Sequence, residues 1–161
     1  MMQFDDLHRI GFGWDVHKIA KEKGELYIGG IKVSDNYRAI AHSDGDALIH
    51  SLIDAILGAL SRGNIGIMFP ANERNRGRRS VELLDETVVV LKNSLFKLVN
   101  IDCTIIIKEV NLGEQINEIV TFLSSKLGID KRKISIKPKS GNGIYEGVLM
   151  AYSTLLLKRR G

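Results

Sequence analysis

A chain of 161 residues is long enough for one domain with a real core, and 44% hydrophobic against 26% charged residues is a globular composition, not a disordered one. No apolar run approaches the roughly 18 residues of a membrane span, and the lone cysteine, Cys103, excludes an intrachain disulfide and a cysteine-rich metal centre. The net charge of +4 is unevenly placed: Arg74, Arg76, Arg78 and Arg79 crowd together, with further clusters at Lys131, Arg132, Lys133 and at Lys158, Arg159, Arg160, patches that attract phosphate on a metabolite or on nucleic acid.

The opening residues MMQFDDLHR carry two acids and no apolar h-region, so no secretory leader is expected and the cytoplasm is the expected location. A strand is expected at about 8–16. LYIGG and IKV read as a hairpin-like pair turning at Gly29 and Gly30. Residues 46–61 predict a helix, because Ile49, Ile53, Ile56, Leu57 and Leu60 recur at helical spacing; Asp44 or Ser43 would cap it. A glycine-punctuated loop, RGNIGIMFP, runs to Pro70, and a second helix over about 80–96 opens at Ser80. The β-branched run 98–110 predicts a buried central strand holding Cys103. A third helix covers about 114–127 and stops at Gly128, and ISIKPK is a strand. YEGVLMAYSTLLLKR fits a strand or a helix equally well. The alternation favours one sheet with helices packed on a face.

Two short stretches carry chemistry. In GWDVH, Asp15 and His17 are two residues apart on a strand, so their side chains share a side, while Val16 is expected to point into the core and Trp14 to pack on the opposite side from Asp15. In HSDGDALIH, His50 lies off the apolar stripe of its helix, with Asp54 one turn on, the arrangement of a metal ligand and its orienting carboxylate. Alone, that pair reads as well as a surface His–Asp contact. With Asp15 and His17 it makes an Asp/His/His set that leaves one tetrahedral position open, as in a catalytic zinc centre. His42 and Ser43 precede the helix, where backbone amides favour anions; Ser43 also reads as a plain cap. His8 reads as a strand-edge residue without a role.

GFGWDVHKI, AHSDGDALIHSLIDAILGAL and GNIGIMFP together resemble the 2-C-methyl-D-erythritol 2,4-cyclodiphosphate synthase family of the non-mevalonate isoprenoid pathway. The resemblance is collinear over about 9–107 and thins afterwards. It implies an α+β fold over 1–161, a mixed sheet of about four strands with helices on one face, and a homotrimer about a central axis with active sites between subunits. The long strand over 101–107 and the final apolar segment are the expected interface elements. It implies zinc on Asp15, His17 and His50, and magnesium or manganese bridging the diphosphate. The substrate would be a cytidine diphosphate ester of methylerythritol carrying a 2-phosphate, and the products the cyclic diphosphate and CMP. His42, with Ser43, would stabilise the transferring phosphate. Asn64, Ile65, Gly66, Phe69 and Pro70 would hold the methylerythritol part, and Arg76 would meet phosphate. Glu109, Val110, Asn111, Leu112 and Gly113 match the cytidine loop, and Ser140 and Asn142 the phosphate loop, with Ser140 touching the diphosphate. Asp15, Val16 and His17 would also line the substrate.

The chain departs from the family at several of these positions. Asn64 stands where an Asp is usual, and Ala71 follows Phe69 and Pro70 where another Asp is usual. The stretch 109–112 lacks the usual proline and lysine. Asn142 replaces the Glu that ligates magnesium, several residues are missing from 139–146, and an arginine before Glu146 is absent. Two other readings follow from these losses: a metal-dependent nucleotide or phosphodiester hydrolase on the same fold, and a non-enzymatic anion- or RNA-binding module using the arginine patches. Aromatics at 6% offer no base-stacking platform, so neither nucleic acid nor membrane is expected as a partner.

Overall fold

The structure is a computed structural model that describes residues 7–161, so the reading of the first residues, MMQFDD, lies outside it. Strand β1 (His8–Ala20) is followed by the short β2 (Leu26–Ile28), β3 (Ile31–Ser34) and β4 (Arg38–Ile40). Helix α1 (Ala47–Ala59), the four-residue α2 (Ile65–Met68) and α3 (Ser80–Lys92) come next. Strand β5 (Phe96–Ile106), α4 (Ile116–Leu127), β6 (Ile134–Lys139) and β7 (Val148–Arg159) complete the chain.

The main sheet has five strands in the order β4-β1-β7-β5-β6, one more than expected. It is mixed: β5 and β6 run parallel, and the other pairings are antiparallel. The undecided final segment is a strand, and it sits at the centre, pairing with β1 from His8–Lys158 to Lys18–Val148 and with β5 on its other side. β2 and β3 form a separate hairpin turning at Gly29 and Gly30, both at positive φ (61° and 84°), where glycine avoids the Cβ clash. The second helix ends at Lys92 rather than near 96, because the chain turns at Ser94 and enters β5 at Phe96.

The helices cover one face of the sheet. Ile101, Cys103, Ile105, Leu149, Ala151, Leu155 and Leu157 point into a core closed by Leu48, Ile49, Leu52, Ile53 and Ile56 of α1 and by Leu84, Ile119 and Leu123 of α3 and α4. The other face is open and apolar. Ile10, Phe12, Trp14 and Val16 are 74%, 59%, 53% and 37% exposed, with Tyr152 of β7 stacked between Phe12 and Trp14. Val16 therefore does not enter the core: odd-numbered residues of β1 face α1, and the even-numbered ones line this open surface. Ile101, Cys103, Ile105 and Ile107 are buried, whereas Ile106 is half-buried and alternates to the opposite face of β5.

Candidate metal centre and substrate cleft

Helix α1 lies directly on the backbone of β1. A Cβ on Gly11 would stand 1.9 Å from the Ala55 carbonyl oxygen, and one on Gly13 2.1 Å from that of Ser51. Only glycine permits this approach, and the approach brings His50 over the strand two and four residues beyond Gly13. Asp15 Oδ2 lies 2.8 Å from His50 Nδ1 and 2.8 Å from His17 Nε2, and the two ring nitrogens are 3.2 Å apart. The imidazoles meet edge to face at 75°.

These three atoms fit a divalent ion. A tetrahedral centre with bonds of about 2.0–2.1 Å separates its ligand atoms by roughly 3.3 Å. A slight outward relaxation of this triangle reaches that spacing, and one carboxylate with two imidazoles is a set that zinc accepts. Among the described residues no other trio of His, Cys, Asp or Glu converges so. Burial disfavours ionisation of Asp15, yet hydrogen bonds from His17 and His50 outweigh it and hold the carboxyl well below the usual range. Burial likewise opposes a charge on His50, and the hydrogen bond and charge of Asp15 overcome it, raising its pKa.

The far side of His50 is held by residues that the sequence did not single out for this role. Nε2 lies 2.8 Å from the hydroxyl of Ser80, the first residue of α3, and 3.4 Å from that of Ser43. The Asp44 carboxylate accepts both the backbone N–H of Ser80, at 3.1 Å, and its hydroxyl. Asp54 is not the orienting partner: its carboxylate accepts the N–H of Ile65 at 2.7 Å and so ties the following loop to α1. The cap of α1 is neither Ser43 nor Asp44 but Asp46, fully buried, which accepts from Ile49 N at 3.1 Å, Gly29 N at 2.8 Å and Gly30 N at 2.7 Å. One amide of the helix N-terminus, that of Ile49, is thus taken by an internal carboxylate.

Beside the triad opens a cleft of about 320 Å³ whose wall includes His17, His42, Ser43, His50, Ile65, Gly66 and Phe69. It adjoins a hollow of about 240 Å³ bounded by His42, Asn72, Glu73 and Arg76. Of the residues expected to meet phosphate, His42, Ser43 and Arg76 line these two spaces, and of those expected to hold methylerythritol, Ile65, Gly66 and Phe69 do. Asn64 caps α2 with its own side chain, accepting from Ile67 N at 3.0 Å.

Residues 8–157 match the YgbB family. The chain belongs to that family. A 2-C-methyl-D-erythritol 2,4-cyclodiphosphate synthase of Kosmotoga olearia is 47% identical over 155 residues, covering 96% of this chain and 99% of its own. A solved synthase in its CDP-bound form superposes with a TM-score of 0.88 at 32% identity, over 93% of this chain and all of that one. The IspF–CDP complex of Plasmodium falciparum gives 0.84 at 30% identity, over 96% and 97%.

Two segments of this YgbB-family chain do not reach its own cleft. In the 109–113 stretch, Glu109 accepts the N–H of Gly147 at 2.6 Å, Asn111 accepts from Gly113 N at 3.0 Å, and Leu112 is buried in the core. In the 139–146 stretch, the Ser140 hydroxyl accepts from Asn142 N at 3.4 Å, and Asn142 takes a positive φ of 52°. Both segments stand at the end of the sheet where His17 lies, since Gly147 O accepts from Ile19 N at 2.9 Å. No helix among the described residues is long and apolar enough to cross a membrane.

Proposed function

We propose that this chain is a single-domain 2-C-methyl-D-erythritol 2,4-cyclodiphosphate synthase. It would convert 4-diphosphocytidyl-2-C-methyl-D-erythritol 2-phosphate to the 2,4-cyclodiphosphate with release of CMP. The observation that carries the reading is the convergence of Asp15, His17 and His50 beside the cleft, in a chain so close to named synthases.

The attacking 2-phosphate is already an anion, so no strong general base is needed. What the site must provide is placement in line with the β-phosphate and neutralisation of charge. Zinc held by Asp15, His17 and His50 would supply Lewis-acid polarisation of a phosphoryl oxygen. His42, exposed on the cleft wall, can donate to the transferring phosphate, with the Ser43 hydroxyl beside it. Ile65, Gly66 and Phe69 form the wall for methylerythritol, their loop fixed by Asp54 and by the Asn64 cap. Arg76, 77% exposed and paired with Glu73, adds positive charge at the cleft mouth. Magnesium binds chiefly through substrate phosphates and water, so the loss of one carboxylate at Asn142 weakens its seat without removing it.

The open face of β1 and β7 supports a homotrimer, because contiguous exposed apolar surface marks association. In that assembly the 109–113 and 139–146 segments of one copy would meet the cleft of another, bringing Glu109, Val110, Asn111, Leu112 and Gly113 to cytidine and Ser140 and Asn142 to the diphosphate. Light scattering should give three chains per particle, and Trp14→Glu should yield monomers. A monomeric wild type would refute the assembly.

The activity itself is tested by phosphorus NMR of products formed with zinc and magnesium. CMP with the cyclic diphosphate is expected. CMP with open-chain phosphates would replace the synthase by a hydrolase, and a zinc-loaded protein without turnover would refute both.

A further inference from the structure

We propose that the far end of the sheet carries a second anion site, for a small molecule with linked phosphate groups. It does not depend on the metal centre: Lys158 pairs with His8, and the run of β1 from His8 to His17 is about 30 Å long.

The basic clusters at 131–133 and 158–160 line neither of the spaces beside the metal centre. The fold brings members of both to one place. Parallel pairing with β6 begins only at Ile101–Ile134, so the first half of β5 has no strand on that side. The notch left there is a cavity of about 720 Å³, backed by the buried Leu91, Leu98 and Leu127 and rimmed by Lys92, Lys97, Lys133, Lys158 and Arg160. Against those five cations stand the Asp130 carboxylate and the C-terminal ends of α3 and α4, worth roughly half a negative charge each, so about three positive charges are uncompensated. Asp130 is itself taken by Arg132, whose Nε and Nη2 donate to it at 3.1 and 2.7 Å.

Lys97 and Lys158 stand directly opposite each other on β5 and β7, and both are exposed. Like charges so placed destabilise a sheet. His8 is the next residue across on β1, so the row holds no acid, and neither lysine has an ion-pair partner among the described residues. An anion between the two ammonium groups would relieve that repulsion. Arg160 is aimed by the backbone: its Nε donates to Phe96 O at 3.0 Å and its N–H to Leu95 O at 2.7 Å, leaving the two terminal NH₂ groups to donate elsewhere. The volume is that of a small-molecule site. No aromatic side chain among the described residues lines it, so a nucleic-acid base would find nothing to stack on. Linked phosphates concentrate several negative charges within reach of neighbouring lysines, which bind phosphate as point charges.

The test is calorimetric titration of the full chain with inorganic triphosphate, at fixed ionic strength and without divalent ions that the anion would sequester. Wild type should bind triphosphate, and orthophosphate at least about tenfold more weakly. Lys97→Gln combined with Lys158→Gln should weaken triphosphate binding at least about tenfold. Lys21→Gln combined with Lys23→Gln, the same change of net charge on exposed residues elsewhere, should leave it unchanged, and so should Arg76→Gln beside the metal centre. Without anion, Lys97→Gln should melt above wild type, because the like-charge pair is gone; with saturating triphosphate the order should reverse. Absence of binding to wild type, unaltered binding in the Lys97/Lys158 variant, or equal weakening in the Lys21/Lys23 variant would overturn the proposal. So would Lys97→Gln melting below wild type without anion, or a single-stranded RNA binding more tightly than triphosphate through the same two lysines.

Discussion

Replacing Gly13 by alanine should damage both the fold and the metal centre. The added Cβ would lie 2.1 Å from Ser51 O, 2.8 Å from Ala55 N and 2.9 Å from Asp54 Cβ. The two nearest atoms belong to helix backbone, so no side chain can swing aside. Ordinary carbon–oxygen contact needs about 3.3 Å, so strand and helix must separate by roughly 1.2 Å. Overpacking of this kind costs about 1–3 kcal/mol, and a clash with backbone belongs at the upper end. For a domain of this size, about 3 kcal/mol lowers the melting temperature by roughly 6–12 °C. The metal site suffers more, because His50 rides on α1 and its two partners on β1, whereas metal–ligand distances tolerate only about 0.2 Å. Zinc affinity should therefore fall by at least about tenfold. Gly58→Ala is the control on the same helix: its nearest atom would be Phe12 O at 4.0 Å, and removing a helical glycine should stabilise by about 0.5–1 kcal/mol. Calorimetry at fixed protein concentration and chelator competition read both variants. Gly13→Ala melting within 2 °C of wild type, roughly the effect of under 1 kcal/mol, with unchanged zinc affinity, would refute the close-approach reasoning.

Asp46→Ala removes a helix cap worth about 1 kcal/mol and orphans two buried N–H groups at about 1–3 kcal/mol each, so urea unfolding should show a loss of at least about 3 kcal/mol. In metal-free protein the raised pKa of His50 contributes stability that is full below about pH 6.5 and fades as pH rises through the folded-state value. The depressed Asp15 contributes stability present above about pH 4 and lost as pH falls further. Zinc must displace the His50 proton, so titration in weak buffer should release more protons at about pH 6 than at about pH 9; equal release would contradict the raised pKa of His50. Cys103 is buried, its thiol pushed up to about 12, so it should resist a thiol reagent in native protein and react at once in denaturant.

The ligand trio was legible because two local rules, that alternate residues of a strand share a face and that His50 sits off the apolar stripe of its helix, agreed with the family resemblance, which alone brought His50 to Asp15 and His17 across more than thirty residues of sequence. The direction of Val16 was not: the apolar residues Ile10, Phe12, Trp14 and Val16 share one face of β1, and that face is the open one, so alternation points the core the wrong way. The final segment is apolar on both faces, which left it undecided between strand and helix. β4 has three residues, too few for any pattern. Ser43 and Asp44 were the caps expected within HSDGD, and it is the distant turn at Gly29 and Gly30 that holds Asp46 in their place. Ser80 meets His50 across 30 residues of sequence, a contact no local spacing announces.

The position of β7 has a consequence for how the chain assembles. It is last in sequence yet lies between β1 and β5, joining the earliest strand to the middle of the chain. Until those twelve residues insert, β1 and β5 each present a naked edge, and the sheet exists only as two halves. Closure must wait for pairings that span nearly the whole sequence, which slows folding by the loop entropy they require. The metal ligands, gathered within the first fifty residues, therefore sit on a half-sheet that the end of the chain has to lock.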